Sequence, residues 1–370
     1  MQAGESVTPQ AEIAERLRDW QRGVPRGPYT LELYPTLRCN LDCAFCDTTY
    51  RKKKASDELT HARYLELIDE AGRLEVRRAY ILGGGEPMVA RSITPDIMER
   101  LKSFGIYGIL GTNATLFTVD VLERVVAMGW DEIHISIDGA DEATHDLLRG
   151  QKGVFRRAMG AIDRLNALKK AAGVDTPRLL FHTVVTNENH HQLDKIVELA
   201  AQKGCFRVNF DAIVAYRPEQ EALNLGPSHR KELAESAARG LKRAEALGLA
   251  TTLGQFVDTS EQRALDRGHM KFNLTGPQTL IESPCLNPWH HVVVHHNGRV
   301  SPCCVIPAED TADSAHEMSL EDIWYKGRYF TSLRENFVSK LMTRHCPNCS
   351  MAIIEQNDDI RARMAREVAA

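Results

Sequence analysis

The segment Cys39-Asn40-Leu41-Asp42-Cys43-Ala44-Phe45-Cys46 places three thiols close together. It follows Leu31–Leu37, an apolar and β-branched stretch that is typical of a strand. Closely spaced thiolates favour an iron–sulfur cluster over any disulfide arrangement. Zinc is the alternative, but a closed zinc site uses four ligands, usually in paired C-x-x-C clips, and no fourth ligand lies nearby. A [4Fe-4S] cluster held by three cysteines leaves one iron with an open coordination position, where chemistry can take place.

The spacing C-x-x-x-C-x-x-C, with Phe45 before the last cysteine, resembles the signature of radical S-adenosylmethionine (radical SAM) enzymes. The resemblance implies that the amino and carboxylate groups of SAM bind the open iron. It also implies that an electron from the cluster cleaves the sulfonium, and that the resulting 5′-deoxyadenosyl radical abstracts hydrogen from an unreactive C–H bond. The cofactor then carries the chemistry, while the protein positions and shields it. A structural metal-binding knuckle is the simpler alternative for three clustered cysteines.

The composition is that of an ordinary globular protein, with 370 residues, 43% hydrophobic and 26% charged. This length allows one large α/β domain and a smaller appendage. A net charge of −4 does not indicate a nucleic-acid or membrane-surface partner, and neither a signal peptide nor a membrane-spanning run is recognisable. We therefore expect a cytoplasmic location, where nine cysteines indicate metal ligation. The family resemblance implies a reductant partner such as flavodoxin or ferredoxin.

Strand and helix patterns alternate along most of the chain. The strand candidates are Leu31–Leu37, Arg78–Gly83, Tyr107–Gly111, Glu132–Asp138, Leu179–Thr186 and Phe206–Val214. Six β/α units in succession predict a parallel sheet with right-handed crossovers. The fourth and sixth strands alternate apolar and polar residues, whereas a strand buried on both faces is apolar throughout. We therefore predict an α/β fold, an open partial (β/α)6 TIM-like barrel with a polar interior, and radical SAM enzymes are similar in this respect.

Polar and glycine-rich motifs follow several of these strands. Gly83-Gly84-Gly85-Glu86-Pro87 resembles the GGEP motif of the radical SAM family. The resemblance implies that Gly84 and Gly85 allow the backbone to approach the methionyl group of SAM, and that Glu86 accepts a hydrogen bond from its ammonium. A tight glycine and proline turn is the alternative, and a Rossmann motif is a weak one because the spacing is not G-x-G-x-x-G.

The resemblance implies further SAM contacts at the ends of the third and fourth strands. Thr112 and Asn113 are predicted polar contacts, Ser136 is a predicted hydroxyl and ribose contact, and Asp138 belongs to the same set. Arg149 resembles an arginine that pairs with the SAM carboxylate, and a solvated arginine at a helix end is the alternative. The basic run Arg51–Lys54 is more typical of a solvated loop than of a ligand clamp.

A second set of cysteines follows the β/α region. Cys285, Cys303, Cys346 and Cys349 provide four thiols, a complete ligand set. Between the first two, Asn297-Gly298 is a two-residue turn signal that predicts a β-hairpin. The C-x₁₂-G-x₄-C spacing resembles the SPASM or twitch extension of radical SAM enzymes. No cysteine follows Cys349, so the resemblance implies one auxiliary [4Fe-4S] cluster, with zinc on the same thiols as the alternative.

These patterns predict four segments along the chain. They are an N-terminal helix and linker (1–27), a radical SAM partial barrel (28–250), a small cysteine-rich SPASM/twitch-like domain with a hairpin (251–350) and a C-terminal helix (351–370).

The resemblance implies an oxidoreductase or isomerase, and two substrate classes are open. The first is a small polar metabolite, sugar-like or aminocyclitol-like, that is dehydrogenated or epimerised. The second is a peptide or protein side chain that is crosslinked or oxidised. An iron–sulfur electron carrier or zinc scaffold is a third, non-enzymatic class, but it leaves the GGEP-like motif without a purpose. We expect a net two-electron oxidation, whereas a redox-neutral reaction needs a hydrogen donor, for which Cys304 is the candidate catalytic residue.

Overall fold

The computed structural model describes residues 8–46, 57–215, 217–257, 277–346, 349 and 351–366. The basic run Arg51–Lys54 lies outside these residues, and so does its interpretation as a solvated loop. Within the described part of the chain, no helix is both long enough and apolar enough to span a membrane.

The chain divides into two compact units. Unit 1 comprises Met1–Leu33, Leu59–Ala79 and Ala264–Ala370, and unit 2 comprises Tyr34–Glu58 and Tyr80–Arg263. Unit 1 thus draws on three separate parts of the chain. The four segments derived above describe where motifs lie along the sequence, and their boundaries stay predictions.

The strands of the two units are numbered together in chain order. They are β1 (Thr30–Leu33), β2 (Arg78–Ile81), β3 (Tyr107–Thr112), β4 (Glu132–Ser136), β5 (Arg178–Val185), β6 (Cys205–Ala212), β7 (Ala250–Thr251), β8 (His291–Val294) and β9 (Val300–Ser301). The division between the units falls within β2.

The α-helices are numbered in the same way. They are α1 (Pro9–Gln21), α2 (His61–Arg73), α3 (Thr94–Ser103), α4 (Val119–Ala127), α5 (Glu142–Arg149), α6 (Val154–Ala172), α7 (Leu193–Gln202), α8 (Arg230–Leu247), α9 (Gly254–Val257), α10 (Leu320–Lys326), α11 (Arg328–Val338) and α12 (Met351–Arg366).

Unit 2 contains a parallel sheet in the order β3-β4-β5-β6-β7. Its strands alternate with helices along the chain, because each parallel strand needs a crossover to return to the same end of the sheet. One face is apolar: Ile135 of β4, Phe181 of β5 and Val208 of β6 are buried at one level of the sheet. The predicted α/β partial-barrel class is confirmed.

The other face of the same strands is polar. Ser136 is the register partner of His182, and His182 is the partner of Asn209, so the three side chains lie side by side across β4, β5 and β6. In a parallel sheet, register partners point to the same face. The polar alternation read from the sequence therefore produces a continuous polar row.

In unit 1, β1 pairs in parallel with β8, and β8 pairs antiparallel with β9. The hairpin predicted there is confirmed, but its turn is not the predicted two-residue type. Gly298 donates to the carbonyl of His295, and the His295 N–H donates to the carbonyl of Arg299. This is a three-residue loop that ends in a left-handed residue, Gly298, with φ +73°. An Asn-Gly pair favours both turn types, so the dipeptide alone did not distinguish them.

The core of unit 1 packs the first and the last described helices together. Helix α1 packs against α12, and buried side chains of both join one hydrophobic cluster, among them Leu17 and Met364. The Trp20 ring meets Trp324 edge-on at 6.4 Å, and the Arg334 guanidinium lies 4.7 Å from the Trp20 ring centre. The N-terminal and C-terminal helices are therefore integral parts of unit 1.

Candidate active site

Unit 2 contains a cavity of about 470 Å³ at the ends of its strands. The volume lies in the range of small-molecule and cofactor sites. Most of the residues predicted above to bind the cluster or SAM line it together. They are Cys39, Cys43, Cys46, Gly84, Gly85, Glu86, Thr112, Asn113, Ser136 and Arg149.

The cysteine loop is held in place by the end of helix α5. The Ala44 N–H donates to the carbonyl of Leu148 at 2.9 Å. Gly150 follows the helix with φ +69°, and a Cβ there would lie 2.2 Å from the carbonyl oxygen of Asp42. This close approach requires glycine, both because of the backbone conformation and because of the missing side chain. The Leu148–Gly150 corner is thus a docking surface for the loop between Cys39 and Cys46.

The glycine loop after β2 is packed just as tightly. The Gly85 N–H donates to the carbonyl of Thr36 at 3.1 Å, and the Glu86 N–H donates to the carbonyl of Arg38 at 2.9 Å. A Cβ on Gly85 would lie 2.2 Å from that Arg38 carbonyl. The glycine therefore lets the loop lie directly against the segment that leads into Cys39.

Glu86 lines the cavity but is only 3% exposed. Its carboxylate accepts hydrogen bonds from the Asn113 N–H at 2.7 Å, the Thr112 hydroxyl at 2.6 Å and the Met88 N–H at 3.1 Å. Burial raises the pKa of Glu86, and these bonds act in the opposite direction. The carboxylate thus links the loop after β2 to the end of β3, a role that the sequence did not indicate.

Asn113 extends the same network to the cysteine loop. Its side-chain amide donates to the Asn40 oxygen at 3.0 Å, and the Asn40 amide donates to the Thr115 hydroxyl at 2.9 Å. Asn40 was not predicted as a site residue. The available sequence signal was its position between two cysteines. A polar side chain there holds the cysteine loop in place when it forms a hydrogen bond with another segment of the chain.

Arg149 is the last residue of α5, and its side chain is buried beside that of Asp138, which is fully buried. Its Nη2 atom lies 2.5 Å from Asp138 Oδ2, and its Nη1 donates to Cys43 Sγ at 3.7 Å. Asp138 was predicted to contact SAM, but it is not among the residues that line the cavity. Its Oδ1 accepts from the Val184 N–H at 2.8 Å. Asp138 therefore anchors the arginine from behind.

Four further side chains with hydrogen-bonding groups line the cavity without having been predicted as site residues. They are Tyr80, His134, His182 and Asn209. For His134 and Asn209 the sequence signal was present in the polar alternation of the fourth and sixth strands. It indicated a polar face but not which of its members reach the cavity, since that depends on strand register and on the depth of each side chain.

The four cysteines of the C-terminal region line one small pocket in unit 1, about 30 Å³ in volume. Cys285, Cys303, Cys346 and Cys349 share it mainly with apolar side chains, which are Pro288, Pro302, Val305, Ile306, Leu333 and Phe337. Burial raises the pKa of Cys285 to about 12. A metal that binds such a thiol must displace its proton, so ligation and deprotonation are coupled.

Cys304 differs from its neighbour Cys303. It is exposed and does not line the four-cysteine pocket. A hydrogen bond with Cys303 raises the pKa of Cys304 well above its ordinary value. Its predicted role as a hydrogen donor stays a prediction.

Both cysteine sets fit iron–sulfur clusters by donor type and arrangement. Thiolates are the usual ligands of such clusters, and each set lines a single cavity. Among the described residues, no three ligating side chains are already arranged around one metal ion. The fit of each cysteine set to an iron–sulfur cluster therefore depends on the thiol chemistry of the ligands and on the cavity that they share. In unit 2, the lining beside the three cysteines also carries hydroxyl, amide and carboxylate groups, whose chemistry suits the amino and carboxylate groups of SAM.

Comparison with known proteins agrees with this arrangement. Residues 33–200 match the family model of the radical SAM superfamily, and residues 285–350 match that of the SPASM iron–sulfur cluster-binding domain. The chain carries a radical SAM domain and a C-terminal SPASM domain. Its cofactors are SAM and a [4Fe-4S] cluster, together with auxiliary iron–sulfur ligation in the SPASM domain. That the auxiliary cluster is single stays a prediction.

Individual relatives fall into two groups by name. The chain is 27% identical to the AdoMet-dependent heme synthase of Methanosarcina barkeri, over 81% of this chain and 83% of the relative. It is 23% identical to the PqqA peptide cyclase of Xanthomonas campestris pv. campestris, over 86% and 79%. Among solved structures, Streptococcus suis SuiB bound to S-adenosylmethionine aligns with a TM-score of 0.64 at 16% identity, over 86% of this chain and 71% of SuiB. That likeness concerns the fold.

Proposed function

We propose that this enzyme abstracts a hydrogen atom from an unactivated C–H bond of a peptide or protein side chain. The juxtaposition of three cysteines, a glycine–glutamate loop and a polar strand row in one cavity carries the proposal. When bound there, SAM and the reduced cluster supply a 5′-deoxyadenosyl radical. Cys39, Cys43 and Cys46 hold the cluster, and Gly84, Gly85, Thr112, Asn113 and Ser136 contact SAM. Glu86 and Arg149 complete the SAM site, with Asp138 behind them.

The lining of the cavity supports a peptide over a highly charged substrate. Beside the cysteines, the polar row consists of Ser136, His182 and Asn209. Hydroxyl and amide groups both donate and accept, which suits the alternating N–H and C=O groups of a peptide. Among the described lining residues, the guanidinium is that of Arg149, and it already pairs with Asp138.

The relatives support the same choice. Several of the similar proteins are peptide cyclases. The sugar-like or aminocyclitol-like substrate that the sequence analysis placed first is therefore less well supported than the peptide alternative. A second candidate is a tetrapyrrole precursor of heme, because the heme synthase shows the higher identity of the two relatives. Tetrapyrroles carry several carboxylates, which the described lining is less suited to bind.

The experiment compares the two substrate classes directly. The anaerobically reconstituted enzyme is incubated with SAM and dithionite, together with synthetic peptides from short reading frames next to its gene or with carboxylated tetrapyrroles. Mass spectrometry then measures the substrate mass and the yield of 5′-deoxyadenosine. We expect a peptide to lose hydrogen and to raise the 5′-deoxyadenosine yield. Modification of a tetrapyrrole but of no peptide would replace this proposal by the second candidate.

The redox outcome follows from the same incubation in deuterated water. We propose a net two-electron oxidation, in which the substrate radical loses a proton and passes an electron to an auxiliary cluster. If the wild-type product instead carries deuterium on carbon, and Cys304→Ala converts the reaction to an oxidation, Cys304 is the hydrogen donor and the reaction is redox-neutral.

A further inference from the structure

The end of helix α5 presents a buried cation to one specific cysteine. Arg149 Nη1 donates to Cys43 Sγ at 3.7 Å, while the same guanidinium lies 5.3 Å from the centre of the Phe45 ring. The positive charge therefore lies in direct contact with the Cys43 sulfur.

The position of this cation is fixed by contacts on both sides. Asp138 pairs with Nη2 at 2.5 Å and is itself held by the Val184 N–H at 2.8 Å. On the other side, the Leu148 carbonyl and Gly150 hold the backbone of the cysteine loop. Arg149 cannot turn away from Cys43 without breaking the buried pair, which is costly because it leaves an uncompensated charge.

We propose that the Arg149–Asp138 pair sets the reduction potential of the SAM-binding cluster through the Cys43 sulfur. The inference depends on the assignment of Cys39, Cys43 and Cys46 as ligands of that cluster. It assigns Arg149 a second role, in addition to the contact with SAM that is proposed above. Arg149 acts on the cluster through Cys43, as a positioning residue, and Asp138 limits its effect.

The physical basis is the change of charge on reduction. Adding an electron makes the cluster more negative, so a nearby cation and an N–H donor to sulfur favour the reduced form. A carboxylate behind the cation opposes this effect at longer range. Because Arg149 and Asp138 are buried, solvent screens their charges only weakly, and both charges affect the reduction potential. Removing the cation should make the midpoint potential more negative, and neutralising the carboxylate should make it more positive.

The test is a pair of substitutions with opposite expected signs in the reconstituted full-length enzyme. Arg149→Met removes the charge and the N–H groups but keeps an apolar side chain against Phe45. Asp138→Asn removes the charge but keeps an oxygen that can accept from Val184. Midpoint potentials are measured by EPR-monitored titration with dithionite, and the signal that changes on addition of SAM identifies the SAM-binding cluster. The auxiliary-cluster signal in the same sample is the internal reference.

We expect a negative shift in Arg149→Met, a positive shift in Asp138→Asn and no shift of the auxiliary signal. Arg124→Met is the matched control, because Arg124 pairs with Asp96 and Glu99 on the surface and has no contact with the cysteine loop. Equal potentials in wild type and Arg149→Met, with iron content retained, would overturn the inference, and a weaker SAM affinity alone would favour the carboxylate role.

A failed variant leaves the inference testable. If Arg149→Met does not retain the cluster, Asp138→Asn decides: a negative shift or no shift contradicts the proposal. Absence of a SAM-responsive EPR signal from the wild type would instead refute the ligand assignment itself, so the two failures are distinguishable.

Discussion

The cavity of unit 2 and the pocket of unit 1 both gather cysteines, yet they surround the sulfur atoms differently. Three thiols in unit 2 share about 470 Å³ with hydroxyl, amide and imidazole groups. Four thiols in unit 1 share about 30 Å³ with mainly apolar side chains. A cluster with an open iron needs space and hydrogen-bonding partners for an organic ligand, whereas a fully ligated cluster needs only a tight shell. The number of cysteines and the chemistry of the lining thus agree in each unit.

The largest expected effect comes from removing each cysteine set in turn. In Cys39→Ala/Cys43→Ala/Cys46→Ala, we expect one cluster's iron and sulfide to be lost and reductive cleavage of SAM to be abolished. In Cys285→Ala/Cys303→Ala/Cys346→Ala/Cys349→Ala, we expect the other cluster's iron to be lost while SAM cleavage continues. Iron and sulfide analysis measures the loss of each cluster, and the yield of 5′-deoxyadenosine measures SAM cleavage. Stoichiometric zinc in place of the second cluster's iron would show that the two regions differ in metal as well as in lining.

The second effect concerns the contact between α5 and the cysteine loop. Gly150→Ala introduces a Cβ at φ +69° and 2.2 Å from the Asp42 carbonyl. A left-handed non-glycine residue costs about 1–2 kcal/mol, and overpacking adds about 1–3 kcal/mol. We expect a comparable loss of unfolding free energy and a lower iron content in the three-cysteine site.

Gly173→Ala is the matched control for this substitution. Gly173 also follows a helix, with φ +68°, but no atom lies within 4 Å of its Cβ position. Its substitution should lower the unfolding free energy only by the strain of a left-handed backbone, about 1–2 kcal/mol, and leave the iron content unchanged. Equal destabilisation in both variants, measured by chemical denaturation, would show that the Asp42 contact is unimportant.

The third effect tests whether Glu86 organises the cavity or binds SAM. Glu86→Gln replaces one acceptor oxygen by a donor, so either the Asn113 N–H or the Thr112 hydroxyl and Met88 N–H lose their acceptor. An unsatisfied buried donor costs about 1–3 kcal/mol. We expect that loss of stability, together with SAM affinity lower by about one to two orders of magnitude.

Thermal unfolding and calorimetric titration with SAM separate the two roles of Glu86. Glu99→Gln, at an exposed ion pair with Arg124, should change neither. If stability falls while SAM affinity is unchanged, Glu86 anchors the loops without contacting SAM.

The smallest effect concerns a charged network at the beginning of the unit 2 strands. Partial burial would raise the pKa of Glu132, but hydrogen bonds from His134 and Tyr107 and the charge of Arg178 lower it to about 2. A carboxylate with a lowered folded-state pKa stabilises the protein above its ordinary pKa, and the contribution is lost as the pH falls from about 4.5 to about 2.

We therefore expect Glu132→Gln to reduce the unfolding free energy by about 1–2 kcal/mol at pH 7 and by little near pH 2. Denaturant unfolding at a series of pH values measures the difference. Asp163→Asn is the control, because Asp163 forms a surface ion pair with Lys203. It should change the unfolding free energy by less than about 1 kcal/mol at either pH. A constant difference for Glu132→Gln across this range would mean that its ionisation does not contribute.

The sequence alone determined the fold class, and it predicted the two cysteine ligand sets. Hydrophobic periodicity identified the β/α units because strand and helix repeats are local properties, and the alternation in β4 and β6 indicated a polar inner face. Strand ends were less well determined: β1 ends at Leu33, before Pro35, whereas the apolar pattern continued to Leu37. Proline lacks the N–H that would continue the ladder. Clustered cysteines and the glycine–glutamate loop identified the chemistry because their spacing is local as well.

Only the tertiary structure decided which residues act on one another. Asp138 and Arg149 both stood out in the sequence as SAM contacts, yet the fold pairs them and directs the guanidinium to Cys43. The Asn40–Asn113 bond and the fit of Gly150 against Asp42 likewise join segments that lie far apart in the chain. Residue type and periodicity specify what a side chain can do. The path of the backbone and the register of the strands specify the partner, and no local pattern contains that information.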